Sequence, residues 1–288
     1  MMSTAGRSAA GSAGSAAGSA AGGAVRRAAR TAGFVWEHFK FNVASAMEYR
    51  WSFVSQVSFM VLNDFLLLFF WWLIFGKVQT IGGWTFADVI TMHAVLATSY
   101  GLSVSVFGNV NRLARIIAEG QLDYYLLLPR NPLLHALVSR SDLSGLGDVA
   151  FGLAAFCLFT PVTLGRLALF VIVTLASCTV YTCFAVITGS IAFFIGNAQT
   201  ISLQLLGALI TFGGYPDSIF KGLVRAVLYS VIPVGFAIYV PVSLLRNFSV
   251  AHLAGLLAFA GAIAWAASWL FGAGLRRYES GNLVSARI

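Results

Sequence analysis

The feature that most constrains this chain is the apolar stretch WSFVSQVSFMVLNDFLLLFFWWLIF, which runs from Trp51 to Phe75. It contains one carboxylate, Asp64, and no basic residue. An α-helix rises about 1.5 Å per residue, and about 20 mostly apolar residues cross the roughly 30 Å hydrocarbon core of a bilayer. The stretch is therefore long enough to span a membrane as a helix.

Similar apolar segments recur along the chain. Of its 288 residues, 59% are hydrophobic and only 10% are charged, far below the roughly 25% charged residues of soluble domains. Because a bilayer offers no water to backbone polar groups, several such segments fold as a bundle of helices. We predict an all-α, polytopic membrane bundle with six transmembrane helices. The predicted spans are 51–75, 87–107, 143–164, 167–195, 198–213 with a broken continuation, and 250–273.

The basic residues predict the orientation of the bundle. The net charge is +8, but the bases are scattered between apolar spans rather than gathered on one face, which argues against nucleic-acid binding. With the N-terminus inside, thirteen of the 18 Lys and Arg residues fall on the cytoplasmic side. The positive-inside rule therefore predicts a multi-pass protein of a bacterial cell membrane with both termini cytoplasmic. The five bases left outside are Lys77, Arg166, Lys221, Arg225 and Arg246.

The first residues differ in composition from the rest. Residues 1–33 are rich in Ala, Gly and Ser and end in a basic cluster, so we predict a disordered cytoplasmic leader attracted to anionic lipid. The transmembrane domain then covers 34–288. Between Phe34 and Arg50, apolar residues recur at three- and four-residue spacing, which predicts an amphipathic helix in the membrane interface. An alternative is that this segment extends the first span into the cytosol.

Residues 109–142 form the only sizeable cytoplasmic loop between predicted spans. Leu113, Ile116 and Ile117 fall on one helical side, and Gly120 is suited to end that helix in the left-handed conformation. A second short apolar face follows and is expected to stop at Pro129 and Pro132. We expect this amphipathic element to lie on lipid or to dock on a soluble partner.

Residues 214–249 are apolar but interrupted by Pro216, Pro233 and Pro241. Proline removes a backbone donor and bends a helix, so one continuous span is excluded. Lys221 and Arg225 would also be costly at bilayer depth. We predict a re-entrant helical pair between spans 5 and 6 that caps the outer end; the alternative is an additional pair of spans.

Several kinds of chemistry have no signature in this sequence. The phosphate-loop pattern G-x-x-x-x-G-K-[ST] is absent, as are H-E-x-x-H and G-x-S-x-G. The three cysteines lie within spans without a CxxC pattern, and the four histidines are isolated, so no metal site or cofactor is predicted. Asp64 is the one acid deep within a span, and such a residue is by default a functional candidate, here for a pathway through the bundle. The alternative is a structural role, in which Asp64 forms a hydrogen bond with Asn63 or with a serine of a neighbouring helix. Asp142 and Asp148 are placed near the membrane surface, at depths different from that of Asp64.

Three motifs together resemble a known family. They are IAEGQLDYYLLLPRNPL at 117–133, the run from YPDSIF to VIPVGFAIYVPV at 215–242, and GLRRYESGN at 274–282. In this order, they resemble the six-span permease subunits of ABC-2 type transporters, in the branch that works as paired permeases with a separate ATPase. The resemblance covers Phe34 to Asn282.

That resemblance implies an exporter permease that forms the pathway with a second, related permease or a copy of itself. A partner ATPase subunit would hold ATP and Mg, and a cytoplasmic element after span 2 would couple the two. Two alternatives are a membrane-embedded lipid-modifying enzyme and an ion-coupled secondary carrier with Asp64 as its proton site. The enzyme would need polar groups clustered at one depth, and the carrier would need internal repeats. The residues carried over as coupling candidates are Arg115, Glu119, Gly120, Leu122, Asp123 and Pro129.

Overall fold

The computed structural model describes residue 26 and residues 29–278, and the regular structure there is helical apart from one isolated bridge between Ile81 and Trp84. Short 3-10 turns lie at Val110–Arg112 and Asp217–Ile219, and a π-turn lies at Gly235–Tyr239. The helices are α1 (29–48), α2 (Arg50–Phe75), α3 (Phe86–Val106), α4 (Leu113–Ala118), α5 (Leu122–Leu126), α6 (Pro132–Val138), α7 (Gly145–Phe159), α8 (Leu164–Ser190), α9 (Ala192–Ile195), α10 (Gln199–Gly213), α11 (Gly222–Ser230), α12 (Val240–Arg246) and α13 (Val250–Leu275).

Four helical segments of the described chain are long and apolar enough to cross a membrane: α2, α3, α8 with α9, and α13. A bent pair raises the number to five if it counts as one span. These segments confirm a multi-pass helical bundle. The predicted span 143–164 is shorter than expected, because α7 has only 15 residues and ends before Pro161. Proline disfavours helical geometry at the residue before it, and Thr160 is extended. Helix α10 also has only 15 residues, fewer than the roughly 20 that cross a bilayer. The count of six spans therefore remains a prediction.

Helix α3 lies at the centre of the bundle and packs most extensively against α7 and α8. The contact with α7 is close because glycines face each other: a Cβ atom on Gly145 would lie 2.8 Å from the carbonyl oxygen of Gly101. On another side of α7, a Cβ on Gly147 would lie 2.8 Å from the Val57 carbonyl oxygen of α2. Small residues allow helix backbones in a membrane to approach. Helix α7 is thus held tightly between α2 and α3, whereas the long helices α2 and α13 leave most of their own surface exposed.

Helix α1 is described from residue 29 to residue 48, and Arg26 before it is also helical. The rest of the leader, residues 1–25, 27 and 28, lies outside the described residues. A turn at Tyr49 separates α1 from α2. The Asn42 side chain donates hydrogen bonds to the Val138 carbonyl (3.3 Å) and to the Ser141 hydroxyl (3.0 Å). These bonds anchor α1 to the connection between α3 and α7.

The broken segment after α10 contains a bend of 75° between Gly222–Ser230 and Gly235–Arg246. The bend coincides with Pro233, as predicted. Pro241 does not divide the segment, because the chain stays helical from Gly235 to Arg246. Proline is tolerated in the first turn of a helix, and the π-turn that precedes it already departs from the regular hydrogen-bond ladder.

Candidate functional site

The corner formed by α4 and α5 has the predicted amphipathic character. Leu113, Ile116 and Ile117 are buried, whereas Arg115 and Glu119 are exposed. Gly120 follows with a φ of 74°, the left-handed conformation that favours glycine. The buried face of α4 packs on α8, where a Cβ on Gly189 would lie 3.0 Å from that of Leu113. The corner is therefore docked on the bundle itself, with its charged side outward.

A pair of hydrogen bonds from Gln199 joins α4 to the start of α10. The side-chain oxygen of Gln199 accepts from the Arg115 backbone N–H at 3.0 Å, and its nitrogen donates to the Asn111 carbonyl at 3.1 Å. The hydroxyl of Tyr181, on α8, donates to the Asn111 side chain at 2.9 Å. The α4–α5 corner is thus connected to α8 and α10. Sequence reasoning missed this connection because Gln199 and Arg115 lie far apart along the chain.

Helix α5 and the residue that follows it present an exposed apolar surface made of Tyr124 and Leu127, whose exposed fractions are 64% and 85%. Leu122, one of the six predicted coupling residues, is fully buried in the core. Pro132 does not end a helix as expected: it begins α6, which Asn131 caps by accepting a hydrogen bond from the Leu134 N–H. Proline suits a helix start because its missing N–H would have no partner there.

Two other predicted coupling residues have neighbours in the described chain. Glu119 accepts a hydrogen bond from Gln121 at 2.9 Å on the exposed surface. Asp123 lies beside Tyr278, just after the last helix, and burial together with this carboxylate raises the pKa of the Tyr278 hydroxyl. The α5 region therefore meets the end of α13. Pro129 is exposed.

An aromatic and basic cluster joins α1 to α6. The His135 ring lies edge-on to those of Phe34 and His38, with centroid distances of 5.2 and 5.3 Å, and Arg130 lies over Phe34 at 4.9 Å. Burial lowers the pKa of His135, and the nearby His38 and Arg130 lower it further. The contact is thus suited to a neutral imidazole.

Asp64 and Asp148 lie together at one cavity, so the prediction that they occupy different depths is wrong. Their carboxyl groups approach to hydrogen-bonding range, and Asp148 is only 2% exposed. The cavity has a volume of about 120 Å³ and lies between α2, α3, α7 and α10. Asp148 reaches it because the glycines beside it let α7 approach both α2 and α3. Besides the two carboxyl groups, the polar side chains lining the cavity are Asn63, His93 and Tyr100.

At the other end of the bundle, the loops are tied together by charged groups. Arg225 forms an ion pair with Asp217 at 3.1 Å, and the indole N–H of Trp84 donates to the same carboxylate at 3.0 Å. Arg246 pairs with Asp88 at 3.0 Å. Arg225 is therefore a partner in an ion pair and not a free surface base. Of the predicted capping residues, Lys221 is exposed and Pro216 is buried.

Within the described part of the chain, no group of three His, Cys, Asp or Glu side chains is placed to hold a metal ion. Neither the curated proteins nor the solved structures gave a match to this sequence. The family model described as "ABC-2 family transporter protein" matches residues 61–282, which include α3 to α13, the α4–α5 corner and the bent pair. The match covers well over half of the chain, and the bundle has the several apolar helices that a membrane transporter requires. This chain therefore belongs to the ABC-2 transporter family as a multi-pass membrane subunit.

Proposed function

We propose that this chain is the permease subunit of an ABC exporter and that a separate ATPase subunit, which binds ATP and Mg, drives it. The observation that carries the proposal is the α4–α5 corner, which exposes Tyr124 and Leu127 while Gln199 ties it to the bundle. A soluble partner that covers the two apolar side chains would remove them from water, which favours docking.

The connections of the corner suggest how ATP hydrolysis is coupled to the spans. A push on α4 acts through Gln199 on the start of α10 and through Asn111 and Tyr181 on α8. Tightly packed interfaces shift between discrete arrangements rather than deforming continuously. Movement of the docked ATPases is thus converted into relative movement of α10 and α8.

Two helices carry polar residues on exposed surfaces where lipid would be an unfavourable neighbour. Both place them at the spacing i, i+4 and i+11, which lies along one helical face. Polar side chains in spans normally face protein or a water-filled cavity. We infer that these faces meet a second permease, related or identical, and line the pathway between the two subunits. The residues are Ser52, Gln56 and Asn63 on α2, and Thr200, Gln204 and Thr211 on α10.

The proposed orientation follows the basic residues. Both termini and the α4–α5 corner are cytoplasmic in the cell membrane, α1 lies in the inner interface, and the bent pair re-enters from the outside with Lys221 near the outer headgroups. Cysteine introduced at position 80 should react with an impermeant reagent in intact cells. Cysteine at position 121 should react only after permeabilisation, and the reverse pattern would overturn the orientation.

The clustering of Asp64 and Asp148 removes one argument against the enzyme alternative, since polar groups do meet at one depth. Membership of the ABC-2 family, rather than the separation of the carboxylates, now favours transport.

The decisive experiment is purification of the full chain from its native membrane in mild detergent. We expect an ATPase to copurify in stoichiometric amount and Leu127→Gln to reduce its recovery. The matched control is Leu223→Gln at the other end of the bundle, where the side chain is 81% exposed, similar to the 85% of Leu127. If both variants retain the ATPase, α5 is not the docking surface. Its absence from the wild-type preparation would refute the proposed function.

A further inference from the structure

Four buried polar atoms of Asp64, Asp148 and His93 receive no hydrogen bond within the described chain. They are Oδ2 of Asp64, both carboxyl oxygens of Asp148, and Nε2 of His93. All three residues line the same cavity of about 120 Å³, and His93 is only 4% exposed. A buried polar atom without a partner destabilises the fold, so four in one place call for a ligand.

The unpartnered atoms identify what that ligand must supply. His93 uses Nδ1 to donate to the Val89 carbonyl at 2.9 Å, which leaves Nε2 as a lone-pair acceptor. Carboxylate oxygens are also acceptors. The four unpartnered atoms are therefore all acceptors, and no Lys or Arg is among the residues that line the cavity. The ligand must bring protons.

The contact between the two carboxyl groups further limits which ligand can bind. Two ionised carboxylates in hydrogen-bonding range repel, and in apolar surroundings they are stable only if a proton lies between them. The cavity is large enough for a few water molecules, which need two to four polar partners each. Water there would donate to His93 Nε2 and to the remaining carboxyl oxygens.

We propose that Asp64 and Asp148 share one proton and form a proton-binding site within the bundle, reached by water through the cavity beside His93. Asn63 is exposed at the surface of α2, so the cavity reaches the face that we assign to the pathway.

The groups facing the pair come from every helix around it. Helix α2 contributes Asn63, helix α3 contributes His93 and Tyr100, and α10 contributes only the apolar Ile210. Asp142, just before α7, adds a further negative charge that acts on Asp148. No positive charge among these groups balances two ionised carboxylates.

The shared proton stabilises the contact between α2 and α7. When it is present, the carboxyl pair adds a hydrogen bond to the glycine contact at Gly147; when it leaves, the two charges repel and the helices are pushed apart. This consequence rests on the proposed function, since α2 carries one of the pathway faces. Proton occupancy would then bias the state of the permease.

The test is labelling of the full chain, in native membranes, with a membrane-permeant dicyclohexylcarbodiimide. The acid O–H adds across one C=N bond: the carboxyl oxygen bonds to the central carbon and the proton goes to nitrogen. Transfer of the acyl group to nitrogen then leaves a stable adduct that retains the whole reagent. Only a protonated carboxyl group in an apolar setting reacts well, so exposed Glu48 is the internal reference.

We expect one adduct per chain, on Asp64 or Asp148, with labelling that falls about tenfold per pH unit once the shared proton is lost. Asp148→Asn and Asp64→Asn should each lower labelling of the remaining carboxyl group several-fold at neutral pH, because the amide N–H replaces the proton. Labelling no greater than that of Glu48, or undiminished in both variants, would overturn the proposal. Copurification of the ATPase is read separately, so the proposed function can stand if this site fails.

Discussion

From the close glycine contact between α3 and α7, we predict how far Gly152→Ala lowers the stability of the bundle. The added Cβ would overlap the Thr98 hydroxyl and lie 2.7 Å from the carbonyl oxygen of Ala94. The threonine side chain can rotate, but a carbonyl in the backbone of α3 cannot move without moving the helix. The substitution therefore forces α7 away from α3 and disturbs the position of Asp148.

The loss of stability is estimated by comparison with a glycine that has free space around the position of an added Cβ atom. Overpacking of a close contact costs about 1–3 kcal/mol. Replacing glycine by alanine within a helix also gains roughly 0.5–1 kcal/mol, because alanine loses less conformational freedom. Gly255→Ala on α13 is the matched control, since its Cβ would meet nothing within 4 Å. The propensity gain is common to both variants, so their difference is the overpacking cost of about 1–3 kcal/mol.

The assay is thermal unfolding of both purified variants in the same detergent. One kcal/mol corresponds to roughly 2–4 °C for a chain of this size, so Gly152→Ala should melt about 2–12 °C below Gly255→Ala. The double variant Gly152→Ala with Thr98→Ala should recover part of the lost melting temperature, because removal of the threonine hydroxyl removes one of the two overlaps. Equal melting temperatures for Gly152→Ala and Gly255→Ala would refute the close packing of α3 on α7.

Three further predictions concern other parts of the chain. The pKa of His135 is lowered in the folded state by burial, His38 and Arg130, so the fold favours the neutral ring; its contribution to stability is full above pH 6.5 and declines as the pH falls below that value. Melting temperatures should therefore drop towards acid pH, and His135→Gln should weaken this dependence; unchanged dependence would exclude the ring as its source. Gln199→Leu should preserve ATPase copurification but reduce transport per ATP hydrolysed, and an unaltered ratio would argue against the connection to α10. Lys221→Cys should react with an impermeant thiol reagent in intact cells, and protection there followed by reaction after permeabilisation would place the bent pair across the membrane.

The membrane bundle itself could be predicted because long apolar runs act locally. The spans around 51–75 and 250–273 depend on run length and composition, which hold wherever the neighbouring helices lie. Gly120 was predictable for the same reason, since the left-handed conformation after a helix is a local preference of glycine. Pro161 shows the limit of reading hydrophobicity alone: the predicted span continued past a proline that ends α7.

The sequence alone thus determined that this chain forms a helical membrane bundle. It also determined which residues form the α4–α5 corner. Only the tertiary structure decided that Asp148 meets Asp64, that Gln199 holds α4, and that Leu122 is buried in the core. The reason is physical: helix formation depends on residues within a turn or two, whereas these contacts depend on how closely backbones approach. Glycines at 145, 147 and 152 set that approach, and their effect appears only when α2 and α3 pack against them.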